Sequence, residues 1–338
     1  MALLNGTSNV SANSTPIWQH YQTDLRIWSA LIISSSTAGT VFGVLLIICI
    51  LTSQQRSKSS PLLVSLLAAA TGHCAMGIPF IALSYEGSPI SQPVSDRFCT
   101  VAVGFFVGLT TWVDWADLMI SVNRFIAICH PHIYTRATTN GIRFTMTFLS
   151  PVVAVILVVM QMGQWAGTSM RAGAWRSCSM LYRTYLWSGA YTMVSFVVPL
   201  LLSFLCYICI FLVIARRQWR RDTQKNRRRQ QQRYRSMYVF FVALVSYSSC
   251  TLPGPVMSMF AMFQFVVHPF LQLTLRVVSL CGVASIPIIY FVLRPDYRQQ
   301  LYKVWRKLVD KRKKNSARVE PSQGIPNSSN NETEPRTF

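Results

Sequence analysis

Charged side chains are scarce in this chain. Only 13% of the 338 residues are Asp, Glu, Lys or Arg, whereas 51% are hydrophobic; soluble domains usually carry about 25% charged residues. Acids are the scarcest, with 11 against 32 Lys and Arg, so the formal net charge is +21. That charge could suit a nucleic-acid-binding protein, but the basic residues collect in short runs between apolar stretches. The pattern indicates a membrane protein with several spans and no nucleic-acid partner.

Seven apolar windows are long enough to cross about 30 Å of hydrocarbon. They lie near Ile27–Leu51, Pro61–Ser84, Phe98–Ser121, Ile142–Trp165, Leu186–Ala215, Ser236–Phe263 and Pro269–Leu293. A short amphipathic stretch, Tyr297–Leu308, follows the last window. The predicted fold class is therefore an all-α membrane protein, a bundle of seven transmembrane helices with a short eighth helix. An odd number of spans places the two termini on opposite sides of the membrane.

The distribution of Lys and Arg predicts the orientation. The connection between spans five and six holds ten of them, from Arg216 to Arg235, against one acid, Asp222, and the loop after span six has none. Cytoplasmic loops carry an excess of Lys and Arg, so we expect a cytoplasmic C-terminus and an extracellular N-terminus. The loop before span five is an exception, with three arginines. The basic segments should also attract anionic membrane lipids.

The first residues lack the apolar region of a cleavable signal peptide, so span one is expected to act as the signal anchor. Three acceptor sequons for N-glycosylation begin at Asn5, Asn9 and Asn13. The expected organisation is an extracellular glycosylated segment over 1–26, the bundle over 27–293, the amphipathic helix over 294–308 and a disordered cytoplasmic tail over 309–338.

The sequence shows neither the features typical of transporters nor those typical of enzymes. Transporters often contain internal repeats and matching broken helices, and no such repeat is visible. The only acids within the spans are Asp114 and Asp117, and His73 of span two could come close to them. No nucleophile or metal-ligand motif accompanies these three. We therefore expect neither an enzyme nor a bound cofactor or metal.

The end of span three carries a sequence motif that is typical of a known protein family. Arg124 stands 25 residues after Cys99, within the run from Asn123 to Pro131. This segment resembles the third helix of rhodopsin-like (class A) G protein-coupled receptors, where the motif is usually Asp-Arg-Tyr. The other spans carry similar motifs in the family's order: Ser65–Ala70 with Ile78-Pro79, Phe196–Pro199 with Tyr207, Cys250–Pro253, and Ile286–Tyr290.

The resemblance implies a function at each end of the bundle. At the cytoplasmic end, Arg124, Tyr207 and Tyr290 would come together and admit a helix of a heterotrimeric G protein, and Asn123 and Phe125 complete the arginine motif. Pro199, Pro253 and Pro287 would produce kinks that act as pivots. At the extracellular side, where oxidation is allowed, Cys99 and Cys178 are expected to form a disulfide. The implied location is the plasma membrane.

The chain also departs from the family. Asn123 replaces the usual aspartate, so the ion pair that holds the arginine in the inactive receptor is absent. We therefore expect Arg124 to be held less firmly in the inactive state. Span two has Ala70 where the family has aspartate. Asp114 and Asp117 instead lie at i, i+3 on span three. Two hypotheses remain open for them: a relocated polar switch, or a static hydrogen-bonded cluster.

The ligand class follows from a narrower resemblance. Phe106 stands where amine receptors need a carboxylate, so that class is not expected. Arg276 is a lone cation in the outer half of span seven, where a ligand carboxylate is a reasonable partner. Its surroundings look like span seven of prostanoid receptors, and Tyr85 and Trp175 match residues around the ligand in that family.

That resemblance implies a small lipid ligand with a carboxylate, such as a prostaglandin, bound by Arg276, Tyr85, Trp175 and Phe106. Several prostanoid positions differ, including Ala174 for a threonine and Asn123 for a glutamate. An orphan, chemosensory or peptide receptor with a different ligand is the main alternative, and a transporter is the remote one. Arg276 could also extend to the outer interface without a ligand.

Overall fold

The computed structural model describes most of the bundle. The residues described are 22–52, 60–85, 95–137, 139–163, 165, 167–172, 177–182, 184–219, 227–254, 268–294, 298–303, 306 and 309–310. Span one is Gln22–Thr52, span three Asp96–Cys129, span four Asn140–Met162, span six Arg227–Thr251 and span seven Pro269–Leu293. Span two is built from three consecutive helical pieces: Ser60–Gly72, His73–Gly77 and Ile78–Leu83. Span five is likewise built from three: Tyr185–Thr192, Met193–Val197 and Val198–Trp219.

Six of these helices are long and apolar enough to cross a membrane, and span six contributes a shorter apolar segment, Tyr238–Thr251. The predicted all-α membrane bundle is confirmed. Two boundaries differ from the expectation. Span one begins at Gln22 rather than near residue 27, and span six begins at Arg227, so part of the basic connection is helical. Arginine and glutamine are good helix formers, which allows the helix to continue beyond the apolar window. Residues 298–303 are also helical.

A short hairpin lies between spans four and five. Strand β1, Gly167–Ala172, pairs antiparallel with strand β2, Ser177–Tyr182, and Arg171 lies opposite Cys178. Nothing in the sequence had indicated strands here. The disulfide between Cys99 and Cys178 joins β2 to the first turn of span three, with 5.2 Å between the two Cα atoms. We call this end of the bundle the disulfide end and the opposite end, which contains Arg124, the arginine end.

Span three is the centre of the bundle. It packs against spans two, four and five and against both strands. The largest buried cluster draws side chains from spans one, two, three, five, six and seven, including Leu46, Leu66, Val113, Tyr207, Phe240 and Tyr290. Large apolar side chains also cover the outside of the bundle. Val155 of span four and Leu201 of span five are 60% and 62% exposed. Such a surface suits hydrocarbon as its solvent and would be unfavourable in water.

Span two contains a π-helical turn just before Pro79. The N–H of Ile78 donates to the carbonyl of His73, five residues back. The next carbonyl, that of Cys74, would need the N–H of residue 79, which proline lacks. A backbone carbonyl without a donor is costly inside a membrane. Ser36 of span one supplies the donor, with 2.6 Å between its hydroxyl and the Cys74 oxygen.

Span five repeats this arrangement before Pro199. The N–H of Val198 donates to the carbonyl of Met193, and the carbonyl of Val194 cannot be served by Pro199. The indole N–H of Trp115 in span three donates to the Val194 oxygen at 3.2 Å. In both spans, therefore, a side chain from a neighbouring helix replaces the hydrogen bond that the proline removes.

Replacing Trp115 with phenylalanine should destabilise the protein by about 1 kcal/mol, the net value of one hydrogen bond. An aromatic ring remains, smaller than the indole, but the Val194 carbonyl loses its donor. The melting temperature of the purified protein should then fall by about 3 °C. Trp187→Phe is the matched control, because Trp187 is 41% exposed on span five. Equal melting of the two variants would contradict this role of Trp115.

Candidate functional site

The backbone of Cys178 connects two spans at the disulfide end, in addition to its disulfide to span three. Its N–H donates to the hydroxyl of Ser84 at 3.1 Å, just after span two. Its carbonyl accepts a hydrogen bond from the guanidinium of Arg276 in span seven, at 3.4 Å. Strand β2 thus links spans two, three and seven, and it positions Arg276.

Arg276 and Tyr85 form the centre of the polar group at this end. Arg276 is half-buried, and its guanidinium carbon lies 5.8 Å from the centre of the Tyr85 ring. Tyr85 is only 4% exposed, and its buried hydroxyl has no hydrogen-bond partner among the described residues. No carboxylate in the described part of the chain pairs with Arg276. The pair therefore offers a cation and a hydroxyl donor to an acceptor group, which is the chemistry that binds carboxylates.

Trp28 of span one is a third donor that sequence reasoning missed. It packs on the buried cluster that contains Tyr85 and Cys178. Its indole N–H is buried and has no acceptor within the described residues, while its ring stands edge-on to Phe270. A tryptophan near the end of a span usually signals an interface anchor, so the sequence alone contained no sign of this position.

Phe106 lies deeper in the bundle and packs against the same cluster. Its ring centre is 4.9 Å from that of His73. The Thr110 hydroxyl donates to the Phe106 carbonyl at 2.8 Å and also lies 3.3 Å from Nδ1 of His73. If the single hydrogen of that hydroxyl goes to the carbonyl, Nδ1 is the donor to Thr110 and Nε2 of the neutral ring is an acceptor.

The two aspartates of span three lie one turn deeper. They are 5% and 7% exposed, and the hydroxyl of Tyr247 in span six donates to Asp114 at 2.7 Å. His73 contacts Thr110 rather than either aspartate, so it lies above the carboxylates and not between them. Asp114 therefore connects spans three and six, and His73 connects spans two and three.

At the arginine end, aromatic rings surround Arg124. Its guanidinium carbon lies 4.9 Å from the centre of the Phe240 ring, and that of Arg294 lies 5.4 Å from the same centre. Phe240 in turn stands edge-on to Tyr290 at 5.2 Å. Cation–π attraction stabilises such contacts by roughly 0.5–2 kcal/mol. Phe240 was not among the predicted residues, because nothing in its local sequence distinguishes it from other apolar residues of span six.

The other residues predicted to take part in activation lie in or next to spans three, five, six and seven. Asn123 is 5% exposed and Tyr207 fully buried. The Tyr207 ring lies 5.8 Å from that of Phe241, and Phe125 contacts His130. Pro287 lies inside span seven, and Pro253 follows the last turn of span six.

Four predicted residues lie outside the part of the chain that the structure describes: Trp175, Asn5, Asn9 and Asn13. Among the described residues, no group of three or more His, Cys, Asp or Glu side chains is arranged to hold a metal ion.

Comparison with known proteins adds two findings. A family model described as 7 transmembrane receptor (rhodopsin family) matches residues 42–290. The melatonin receptor type 1A of Bos taurus is 25% identical over 165 residues. That alignment covers 47% of this chain and 62% of the relative, so the chain spans less than two thirds of the length of the relative it matches.

Proposed function

Because the chain belongs to the rhodopsin family of seven-transmembrane receptors, we propose that it is a plasma-membrane receptor that binds a small ligand at its disulfide end and activates a heterotrimeric G protein at its arginine end. The basic connection between spans five and six supports a cytoplasmic arginine end. The disulfide supports an extracellular location for the opposite end, since disulfides persist in oxidising compartments. The sequons at Asn5, Asn9 and Asn13 would then lie outside the cell.

The proposed ligand carries a carboxylate. The observation that supports this most is the arrangement of Arg276, half-buried between the Tyr85 ring and the Cys178 carbonyl, beside the unpartnered hydroxyl of Tyr85. A half-buried guanidinium favours an anion, and a buried hydroxyl and indole N–H favour acceptor oxygens. The apolar packing around Phe106 suits a hydrocarbon chain. An anionic lipid, such as a prostaglandin, has both properties.

Melatonin is the second candidate ligand, because a melatonin receptor is the relative described above. Melatonin has no carboxylate, so it would not need Arg276 as an ionic partner. Its amide and indole groups could instead use Tyr85 and Trp28. The two candidates therefore differ in how strongly the response should depend on Arg276.

At the arginine end, the proposed signalling residues are Arg124, Tyr207 and Tyr290. Arg124 and Tyr290 both contact Phe240 of span six. An outward movement of span six would separate these contacts and release the two side chains. The resulting opening would accept a segment of the G protein.

A second-messenger screen in cells that express the full chain tests this proposal. The ligands are prostaglandins, fatty acids, lysolipids and melatonin, and the proteins are the wild type and Arg276→Ala. A carboxylate ligand should lose about 100-fold in potency on the variant, which corresponds to about 2.7 kcal/mol. The methyl ester of an active acid should be weak on the wild type and no weaker on Arg276→Ala, because the ionic contact is already missing.

Arg26→Ala is the matched control, because Arg26 is an exposed arginine in the first turns of span one. It should leave the potency unchanged. Equal responses of wild type and Arg276→Ala to a carboxylate ligand would remove the anchor role of Arg276. A response to melatonin alone, insensitive to Arg276, would favour the second candidate.

A further inference from the structure

Three buried polar atoms on one side of the bundle have no hydrogen-bond partner among the described residues. They are the indole nitrogen of Trp28 in span one, Nε2 of His73 in span two and the hydroxyl of Tyr85, just after span two. Buried polar atoms are nearly always hydrogen-bonded, and an unpaired one is costly within a membrane. The carboxylate site proposed above gives Tyr85 and Trp28 a role but leaves His73 without one.

His73 is the most deeply buried of the three, with 1% of its surface exposed. Its Nδ1 lies 3.3 Å from the Thr110 hydroxyl, and that hydroxyl donates to the Phe106 carbonyl at 2.8 Å. With the Thr110 hydrogen on the carbonyl, Nδ1 donates and Nε2 of the neutral ring is an acceptor. The chemical group that fits Nε2 is then a hydroxyl, which donates.

The surroundings of this nitrogen favour a hydroxyl on a hydrocarbon chain over a water molecule. A buried water typically makes about three hydrogen bonds, so it would need further polar atoms beside Nε2. The His73 ring instead packs on Phe106, with 4.9 Å between the ring centres, and lies beside Gly77. Neither of these residues has a polar side chain, whereas a ligand would bring its own apolar chain to them.

An apolar wall connects His73 with the carboxylate site. Phe106 and Trp28 each pack on the buried cluster that contains Tyr85, and both also pack on a second, deeper cluster that contains Cys74, the residue after His73. A hydrocarbon chain that begins at the carboxylate site can therefore follow these two rings towards His73.

We propose that the ligand is a long-chain hydroxy acid, whose carboxylate binds at Arg276 and Tyr85 and whose remote hydroxyl donates to Nε2 of His73. This inference rests on the proposed carboxylate site and adds the second polar group of the ligand. His73 stands 12 residues before Tyr85 in the chain, which is about 18 Å along a helix axis. A hydroxyl next to the carboxylate is therefore too far from His73, and an extended chain must separate the two groups.

Thermal melting of the purified full-length protein tests this with four acids: palmitic acid and its α-hydroxy, mid-chain hydroxy and ω-hydroxy derivatives. A ligand that binds the folded state raises the melting temperature with its occupancy, so each titration gives a half-saturating concentration. For the mid-chain or the ω derivative, this concentration should be about tenfold lower than for palmitic acid, the effect of one added hydrogen bond. The α derivative should resemble palmitic acid.

Variants assign the preference to His73. His73→Phe keeps an aromatic ring but lacks Nε2, so all four acids should half-saturate it at similar concentrations. His73→Gln offers an amide in place of the nitrogen and should restore part of the preference. His268→Phe is the matched control, because His268 is an exposed histidine just before span seven, and it should retain the full preference. Arg276→Ala should weaken all four acids and leave the ratios between them unchanged.

The outcomes separate this inference from the carboxylate site. Equal half-saturation of the wild type by all four acids overturns the role of His73 and leaves the carboxylate anchor in place. A preference for the remote hydroxyl that survives His73→Phe overturns it as well. If none of the acids raises the melting temperature of the wild type, the carboxylate site fails and this inference fails with it. The comparison of the four acids on the wild type decides even if His73→Phe does not fold.

Discussion

Cys99→Ser should remove most of the protein from the cell surface and lower its melting temperature by about 10 °C. The disulfide closes a segment of 79 residues. In the chain-entropy description, a loop of this size stabilises the folded state by about 4 kcal/mol. Spans three and four make up most of that segment and stay in the membrane without the disulfide, so this value is an upper one and the lost constraint acts mainly on the hairpin and the connections between the spans.

The loss should extend to ligand binding, because Cys178 does more than form the disulfide. Its N–H bonds to Ser84 and its carbonyl accepts from Arg276. Without the bond to Cys99, strand β2 is free to leave spans two and seven. Variant protein that reaches the surface should therefore also respond more weakly to a carboxylate ligand.

The experiment compares four proteins by surface immunolabelling and thermal melting: Cys99→Ser, Cys178→Ser, the double variant and Cys209→Ser. Cys209 is a free, half-buried cysteine of span five, so its replacement should have little effect. The double variant should resemble the single ones, because the second substitution acts on a bond already broken. Wild-type melting in Cys99→Ser would refute the argument.

Gly282→Val should cause a second large loss of folded protein. A Cβ atom at position 282 of span seven would lie 2.6 Å from the Cβ of Cys250 and 3.3 Å from Cγ2 of Thr251, both in span six. The Cβ of Cys250 is fixed to its backbone, so no rotamer change relieves the overlap and the helices must separate. Overpacking of this kind typically costs about 1–3 kcal/mol, and valine adds two further methyl groups.

Gly189→Ala is the matched control. This glycine is also helical, in span five, but a Cβ atom there meets nothing within 4 Å. Alanine should be neutral or stabilise that helix by about 0.5–1 kcal/mol. Melting and surface level should therefore fall in the order Gly189→Ala, Gly282→Ala, Gly282→Val. Equal melting of the two alanine variants would contradict the close-packing argument, because helix propensity favours alanine to the same extent at both positions.

The sequence alone was enough for the membrane bundle, because length and hydropathy are local properties that can be counted along a chain. It also indicated Cys99 and Cys178 as a disulfide, through the resemblance and the expected side of the membrane. The helix ends were less predictable. Span six continues to Arg227, because a helix outside hydrocarbon depends on propensity and neighbours rather than on apolar content. The hairpin before span five carried no alternation that would have indicated strands.

Partners between helices were decided only by the tertiary structure. Arg276 was recognisable as an unusual cation, but its contact with the Cys178 carbonyl depends on where the hairpin folds back. Asp114 was recognisable from the sequence as a buried acid. That Tyr247 is its hydrogen-bond donor depends on how spans three and six face each other. Pro79 and Pro199 indicate that two backbone carbonyls lack a donor from their own helix. The sequence does not identify Ser36 and Trp115 as the side chains that donate to them instead. A sequence shows which groups are costly to bury, and the packing of distant segments determines which partner offsets that cost.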